Sequence, residues 1–486
     1  MTDRATARDR VVIVGAGLTG LVAAHRFRTK APANRPVEVA VIEAKERIGG
    51  SIWTRKVGDF TLEGGADSFI TNKPWGVDLC RELGLEDRLI GPNERDRRSF
   101  VVRDGRLLPV PEGFVLMAPG KLAPLLSSPI LSARGKARLL MDLAIPRKRD
   151  EGDESLASFV RRRLGREALE RLVQPLVGGI YTADPTTLSL RATLPQFPAM
   201  EREHGSLILA ARRQAKASRA AERSASGARY GLFASLDEGM GLLPRTLAET
   251  LPPGMVRTGT SVRRIVRSEG TGSWRVELLD GPPIEAGAVV LTTEAHASAR
   301  LLDGFDPDLA LQLRSIPYAS SAIVTVAYPR DRIKHPLDGF GAVVPAIEGR
   351  SILAISFLSV KFPTRAPAGT ALLRVFVGGA MQPDLFELDD DEMASMVRDE
   401  LAGLLGASGD PLLIEVSRHP RAMPQYTLGH LDRIDAIRQR VALHPRLVLA
   451  GNAFHGVGIP DCIRSGQSAA DAILSALVDP ATTAAA

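Results

Sequence analysis

Cysteine is nearly missing: Cys80 and Cys462 are the only two among 486 residues. Two thiols so far apart supply neither a disulfide framework nor metal-ligand spacing, which excludes a small disulfide-built scaffold and suits a reducing cytoplasm; no metal is expected. Long hydrophobic runs are missing too. No stretch reaches the roughly 18 consecutive apolar residues that a spanning helix needs, so any membrane contact is expected to be peripheral. The opening, Met1 to Arg10, is polar and enters a strand directly, with no apolar core for a secretory signal. Charge of one sign is scarce as well, since 62 Lys and Arg against 56 Asp and Glu leave only +6, spread along the chain. Without a basic patch interleaved with aromatics, no nucleic-acid partner is expected. The remaining balance, 44% hydrophobic and 24% charged, is that of a soluble globular chain long enough for several subdomains.

What is present begins with Arg10-Val-Val-Ile-Val, which runs into Gly15-Ala16-Gly17-Leu18-Thr19-Gly20, then Leu21 and Val22 on the same helical face as Leu18, then Val39-Ala-Val-Ile ending at Glu43. An apolar strand, a G-x-G-x-x-G turn, a helix and a second strand closed by an acid form the βαβ dinucleotide fingerprint. Gly15 permits the tight turn, Gly17 lets the backbone approach a pyrophosphate, and Gly20 lets helix and strand pack closely. The free N–H groups of the helix start face phosphate oxygens, and Glu43 accepts hydrogen bonds from ribose hydroxyls. The glycines alone fit a turn in any α/β protein as well as a dinucleotide site. Glu43 in its place decides for the dinucleotide.

After Glu43 come Ala44-Lys-Glu-Arg47-Ile-Gly49-Gly50 and then Glu63-Gly-Gly65-Ala66-Asp67-Ser68-Phe69. These strings resemble the R-x-G-G and E-x-G-x-x-x-F signatures of flavin amine oxidases and their relatives. In that superfamily the second glycine pair lets the chain pass beside the FAD pyrophosphate, where a Cβ would collide. The resemblance implies FAD, and no separate NADPH site is visible.

Farther on, Ser99-Phe-Val-Val-Arg-Asp104-Gly105-Arg-Leu-Leu-Pro reads as a hairpin turning at Asp104-Gly105. From Gly120 to Ala215 apolar positions recur at three- and four-residue spacing, as in Leu156, Phe159 and Val160, and predict helices. Within Lys121 to Arg149, leucines and isoleucines alternate with seven Lys and Arg, a composition that fits either a lipid interface or an ordinary helical layer over a core. Ala211 to Arg229, rich in Arg, Ala and Ser, predicts a mobile linker. Strand patterns return at 262–266, 274–278 and 288–292, then at 322–328, 351–357 and 371–377, with a helix near Asp391 to Leu405. The strand Arg446 to Ala450, its Gly451 turn and the helix after Gly458 look like the first domain resumed. The expected fold class is therefore α/β with an α+β substrate part. A discontinuous Rossmann-like domain takes 1–90, 216–300 and 441–486, a mixed-sheet domain takes 91–119 and 301–440, and a helical domain takes 120–215.

Four further strings narrow the resemblance: Gly178-Gly179-Ile-Tyr-Thr-Ala-Asp184, Met200-Glu-Arg-Glu-His204-Gly-Ser206, Pro424-Gln425-Tyr426-Thr-Leu-Gly429-His430, and Gly451-Asn-Ala-Phe-His-Gly456-Val457-Gly458-Ile459-Pro-Asp461-Cys-Ile-Arg-Ser-Gly466. With them the chain, from about residue 10 to 475, resembles the protoporphyrinogen oxidase family. That family's members are FAD enzymes of haem biosynthesis. They take six electrons from a porphyrinogen in three two-electron steps and make porphyrin and hydrogen peroxide from dioxygen. The fold it implies is a flavin domain, a mixed-sheet substrate domain and a helical domain touching membrane. The expected location is the cytoplasm, peripheral on the inner face of the cell membrane, and a homodimer is left open.

The resemblance implies non-covalent FAD held by Gly15, Ala16, Gly17, Leu18, Thr19, Gly20, Glu43, Ala44, Arg47, Gly49, Gly50, Ser51, Gly65, Ala66, Asp67, Ser68, Val262, His419, Gly451, Val457, Gly458 and Ile459. His419 stands where some relatives carry a Trp near the flavin. The porphyrinogen would meet Gly179, Phe340, Gly341, Val343, Phe376 and Met423. No catalytic triad is implied, because the cofactor carries the hydride transfer. One departure matters: the family's propionate-binding Arg directly precedes an aromatic residue in the hairpin, and Ser99 stands there, with Arg98 beside it. A one-residue shift turns a strand side chain to the other face, so Arg98 serves only if the strand bulges or its long side chain reaches round, and Arg95 and Arg97 are the substitutes. Three rivals remain: oxidation of coproporphyrinogen, with four propionates; an amine oxidase, against which only Phe454 stands where an aromatic pair is usual; and a flavin-free binding protein.

Overall fold

The computed structural model describes residues 10–150, 152–214, 232–268 and 272–478. Most of the stretch expected to be a mobile linker, from 215 onward, lies outside the described residues. Five parallel strands form the sheet that carries the glycine turn, in the order Val256–Arg257, Glu38–Ile42, Arg10–Val14, Ala288–Leu291, Leu447–Leu449. Strands far apart in the chain therefore close one sheet. Arg10–Val14 is a continuous apolar run because both its faces are covered. Val11 and Ile13 pack with the helices Leu18–Lys30 and Ile459–Val478, while Val12 and Val14 pack with Trp274, Val276 and the helices Ala295–Leu302 and Pro307–Arg314. The first and last helices cross closely because Gly466 has no side chain; a Cβ there would run into Thr19 O.

The second sheet has seven strands, in the order Leu413–Pro424, Tyr318–Pro329, Thr370–Gly378, Ala354–Phe357, Gly341–Val343, Phe100–Arg103, Arg106–Pro109. All neighbours are antiparallel except Gly341–Val343 against Phe100–Arg103. The expected hairpin is there, turning through Asp104 at φ 51° and Gly105 at φ 72°, the left-handed pair that a two-residue turn matching strand twist requires. Alternation divides this sheet into two faces. Val324, Val326, Leu373, Val375 and Val377 point to one, where Met393, Val397 and Leu401 of the helix Asp390–Leu405 cover them. That helix starts in a reciprocal capping box between Asp389 and Glu392. The other face turns toward the parallel sheet and builds the candidate site.

Short helices between Leu122 and His204 make a third layer around Leu125, Leu139, Phe159, Leu172 and Phe197. Its buried Arg163 is fully paired, to the Asp142 carboxylate and to the carbonyls of Ile145 and Gly205. Among the described residues, no helix is long and apolar enough to cross a membrane.

Candidate cofactor and substrate site

The glycine turn is shaped for a phosphate. Gly15 sits at φ 105°, a Cβ on Gly20 would run into Gly15 O, and Thr292 Oγ1 donates to the carbonyls of Val14 and Gly15. Gly49 N donates to Ala16 O at 2.8 Å, so the R-x-G-G turn is stitched to the first glycine turn. A Cβ added to Gly17 would meet only Gly50 Cα, 3.9 Å away, and one on Gly50 would meet Gly17 Cα at 3.2 Å. The helix that begins at Leu18 has no side-chain cap and no acid in its first turn. An uncapped N-terminus beside bare glycine backbone is a cradle for a pyrophosphate, and these residues fit the expected FAD. Arg47 reaches back to Gly50 O at 2.6 Å and braces the second turn.

Glu43 lies at the end of the second strand with both oxygens oriented by backbone: Ala16 N donates to one at 2.7 Å and Lys45 N to the other at 2.9 Å. Each oxygen keeps a lone pair for a ribose hydroxyl. The neighbouring loop closes this end, with Gly259 N on Lys45 O and Thr260 N on Glu43 O, and brings Val262 close behind. Ala44 and Ser51 lie on the exposed rim of the two turns.

Gly65 must be glycine, because a Cβ would strike Ser51 O, and Ala66 is exposed beside it. The side chain of Asp67 is engaged by the chain itself: Lys361 Nζ lies at 2.8 Å and Arg374 of the second sheet at 3.1 Å, while Ser68 Oγ donates to the same carboxylate. Burial pushes the Asp67 carboxyl up, but the two cations outweigh it and hold it well below the usual carboxylate range. Arg374 also donates to Gly65 O. Nearby, Glu63 accepts from Thr54 Oγ1 at 2.7 Å and Met240 N, and faces the wholly buried Arg365 at 3.3 Å. His419 Nε2 donates to Gly64 O at 2.7 Å, and burial lowers its pKa, so the ring is neutral at pH 7. The motif segment 63–69 is thus gripped by Arg374 and His419 of the second sheet and by Lys361 and Arg365 of the short helices beside it. Lys361, Arg365 and Arg374 escape motif reading. The available signal is a lone Arg inside the apolar run Ala371-Leu-Leu-Arg374-Val-Phe-Val, a charge that must find a buried partner.

Register places the expected substrate residues on the same sheet face. Val343 pairs with Ala354, Ala354 with Phe376 and Phe376 with Ile323, one row across four strands. The next row holds Gly341, Ser356 and Arg374. Gly179, on the helix Gln174–Tyr181 that follows a π-helical turn at Leu169–Val173, faces this row: a Cβ there would meet Val343 Cγ1 at 3.8 Å. Met423 lies beside Ala319 at the far edge, and Phe340 precedes the short strand, its N–H held by Arg98 O. The site is therefore a shelf of apolar side chains beside Gly64 and Gly65.

Arg98 is not brought to that shelf. It lies before the strand, out of step with Ser99 and Val101, and its half-exposed guanidinium pairs with Asp338 at 3.1 Å. The hairpin does not bulge at this point, since Phe100 and Val101 pair regularly with Ala342 and Val343. Arg97 is likewise paired, to Glu94.

The C-terminal motif closes the site. Gly451, at φ 131°, donates its N–H to Ser465 Oγ at 2.9 Å, and Val457 and Gly458 lead into the last helix, which begins at Ile459. Asp461, in its first turn, is nearly buried and binds Lys73 Nζ at 2.6 Å.

The profile of the flavin-containing amine oxidoreductase family matches residues 18–474. A coproporphyrinogen III oxidase of Bacillus subtilis is 34% identical over 97% of this chain and 99% of its own length. A chloroplastic protoporphyrinogen oxidase of Arabidopsis thaliana is 31% identical over 94% of this chain and 87% of its own. A crystal structure from Exiguobacterium, provisionally named a protoporphyrinogen oxidase, superposes with a TM-score of 0.84 at 32% identity, covering 96% of this chain and 98% of the other.

Proposed function

Because the chain belongs to the family of flavin-containing amine oxidoreductases and is an FAD-dependent oxidoreductase, we propose that it oxidises a porphyrinogen to the aromatic porphyrin, the chemistry its relatives' names carry. The observation that carries this reading is the shared sheet face. The row Val343, Ala354, Phe376 and Ile323 is wide and apolar, and the adjacent Arg374 grips Gly65 O of the flavin motif, which supports a broad hydrophobic macrocycle lying beside the flavin. When bound, FAD supplies the two-electron acceptor for hydride leaving a saturated bridge carbon. The chain itself orients and excludes. Gly15, Gly17, Gly20 and Gly50 hold the pyrophosphate and Glu43 the adenosine ribose. Gly179 keeps the opposite wall low, and Phe376 and Val343 support one macrocycle face. No side chain is required as acid or base at the reacting carbon, and dioxygen is the acceptor this reading assigns.

Protoporphyrinogen IX is the first substrate reading. Coproporphyrinogen III is the second, favoured by the end-to-end match to the Bacillus subtilis relative. Following porphyrin fluorescence with both porphyrinogens side by side decides between them; release of porphyrin from neither removes the proposal. The helical layer exposes Leu126, Met141 and Leu143 within a stretch that also carries Lys121, Arg134 and Lys136, a composition suited to an anionic bilayer. Flotation with anionic liposomes should be seen at low salt and lost as salt screens the cations; protein left in the aqueous layer at low salt reduces this surface to a structural cover.

A further inference from the structure

The motif Pro424-Gln425-Tyr426-Thr-Leu-Gly429-His430 contributes no contact to the site described above, yet its aromatic pair is among the most enclosed in the molecule. Tyr426 is 1% exposed and His430 0%, their rings stacked at 3.9 Å and 13°. The Tyr426 hydroxyl does two jobs at once: it donates to Asn452 O at 2.6 Å and accepts Gly456 N at 2.7 Å. His430 Nε2 donates to Phe454 O at 3.3 Å, and Asn452 Nδ2 reaches Ala422 O at 3.4 Å. Backbone groups along 452–456 are thus bonded to one short motif. Gly456 sits at φ 127°, a conformation side chains rarely adopt, and it leads straight into Val457, Gly458 and Ile459. The other side of the motif is tied down equally well. Ser189 N donates to Tyr426 O at 2.8 Å, Leu428 N to Thr187 O at 2.9 Å, Gln425 Nε2 to Tyr181 O at 3.2 Å and Gly429 N to Asp153 at 3.1 Å. Tyr181 ends the helix that carries Gly179.

We propose that Tyr426, supported by the stacked His430, is a positioning residue that holds the loop Asn452–Gly456 and thereby aims the first turn of the last helix at the flavin, using the helical layer as its anchor. The physical role is specific to the hydroxyl. A single oxygen that donates to one end of the loop and accepts from the other fixes the distance between Asn452 and Gly456, which a packed ring alone does not. Burial raises the phenol pKa far above its ordinary value, so the proton stays on oxygen and the donor role persists at all working pH values. The N–H groups at the aimed helix start favour negative charge, and reduced flavin carries more of it than oxidised flavin. The inference rests on the flavin and on the proposed placement of residues 457–459, and not on which porphyrinogen is oxidised.

Tyr426→Phe in the full-length, FAD-loaded protein tests this without substrate. The ring and stack remain, so the variant should fold and retain FAD. The midpoint potential of its flavin should fall, and amide exchange at 452–458 should quicken by about tenfold or more, as expected when a buried N–H loses its acceptor. Exchange elsewhere should be unchanged. In turnover, flavin reduction at saturating substrate should slow while KM stays within about twofold, because the interaction acts on the reduced state. An unchanged potential with unchanged exchange at 452–458 would overturn the proposal. So would a lowered melting temperature with uniformly faster exchange and the same potential, since that is what a purely structural tyrosine would give.

Discussion

At the scale of single residues, Glu43 does more than a ribose contact requires. It accepts Ala16 N and Lys45 N, so it also shapes the glycine turn from behind. Glu43→Ala removes a charged acceptor worth about 1.5–3 kcal/mol, and the dissociation constant for FAD, measured by titrating the apoprotein, should rise roughly 10- to 100-fold. Burial pushes the thiols of Cys80 and Cys462 up to about 12, which keeps both protonated and unreactive. Acid precipitation should therefore release FAD intact, and flavin remaining in the pellet would contradict non-covalent binding. Arg98 carries the opposite lesson. Paired with Asp338 and half exposed, it belongs to the class of surface ion pairs worth about 0–1 kcal/mol. Arg98→Ala should leave kcat unchanged and KM within about twofold. A KM rise of fivefold or more would return Arg98 to the substrate.

At the scale of elements, the helix Pro307–Arg314 is held at its start by one carboxylate. Asp306 accepts Leu309 N at 3.0 Å as the cap, Arg440 Nε at 2.8 Å and His444 Nε2 at 2.5 Å, which joins this helix to the helix His430–Ala442. Burial raises the Asp306 pKa, but the hydrogen bonds from Arg440 and His444 outweigh it and hold the carboxyl below its ordinary value. A folded pKa below the unfolded one means stability that is present above about pH 4 and is lost as pH falls through the lowered value. Asp306→Asn should cost about 2–3 kcal/mol at pH 7. In parallel thermal melts the gap from the parent should narrow steadily below about pH 4. A gap that is constant with pH would mean that the amide replaces the carboxylate only as a cap.

At the scale of the whole molecule, the motif segment 63–69 is tied to the second sheet and its flanking helices by buried charge. Asp67 meets Lys361 and Arg374, and Glu63 meets Arg365, so the motif segment 63–69 carries both carboxylates. Breaking one side of such a cluster leaves an uncompensated buried charge, at a cost of about 3–5 kcal/mol. Arg374→Met should lower the melting temperature and weaken FAD retention together, because Gly65 O loses its donor along with Asp67. The double variant Arg374→Met with Asp67→Asn should recover part of the stability. If the single variant melts like the parent, the cluster does not hold the segment to the second sheet.

The sequence by itself determined the dinucleotide turn, the hairpin at Asp104-Gly105 and the two strand families, because each depends on local requirements: positive φ at Gly15 and Gly105, a β-branched and apolar run at 322–328, and an acid one residue past an apolar strand. It also determined the family, since spaced motifs such as R-x-G-G constrain backbone and cofactor together. Only the tertiary structure decided what faces what. The row joining Val343 to Phe376 comes from register between strands some thirty residues apart, and no local pattern encodes register. Asp67 stands in a motif expected at the cofactor, yet the ion-pair partners of its carboxylate, Lys361 and Arg374, lie about 300 residues away. Strand parity already sets Arg98 apart from Ser99 in the sequence, but its ion-pair partner, Asp338, is brought alongside by a loop some 240 residues away. A charge states in sequence that it needs a partner, and folding alone chooses which.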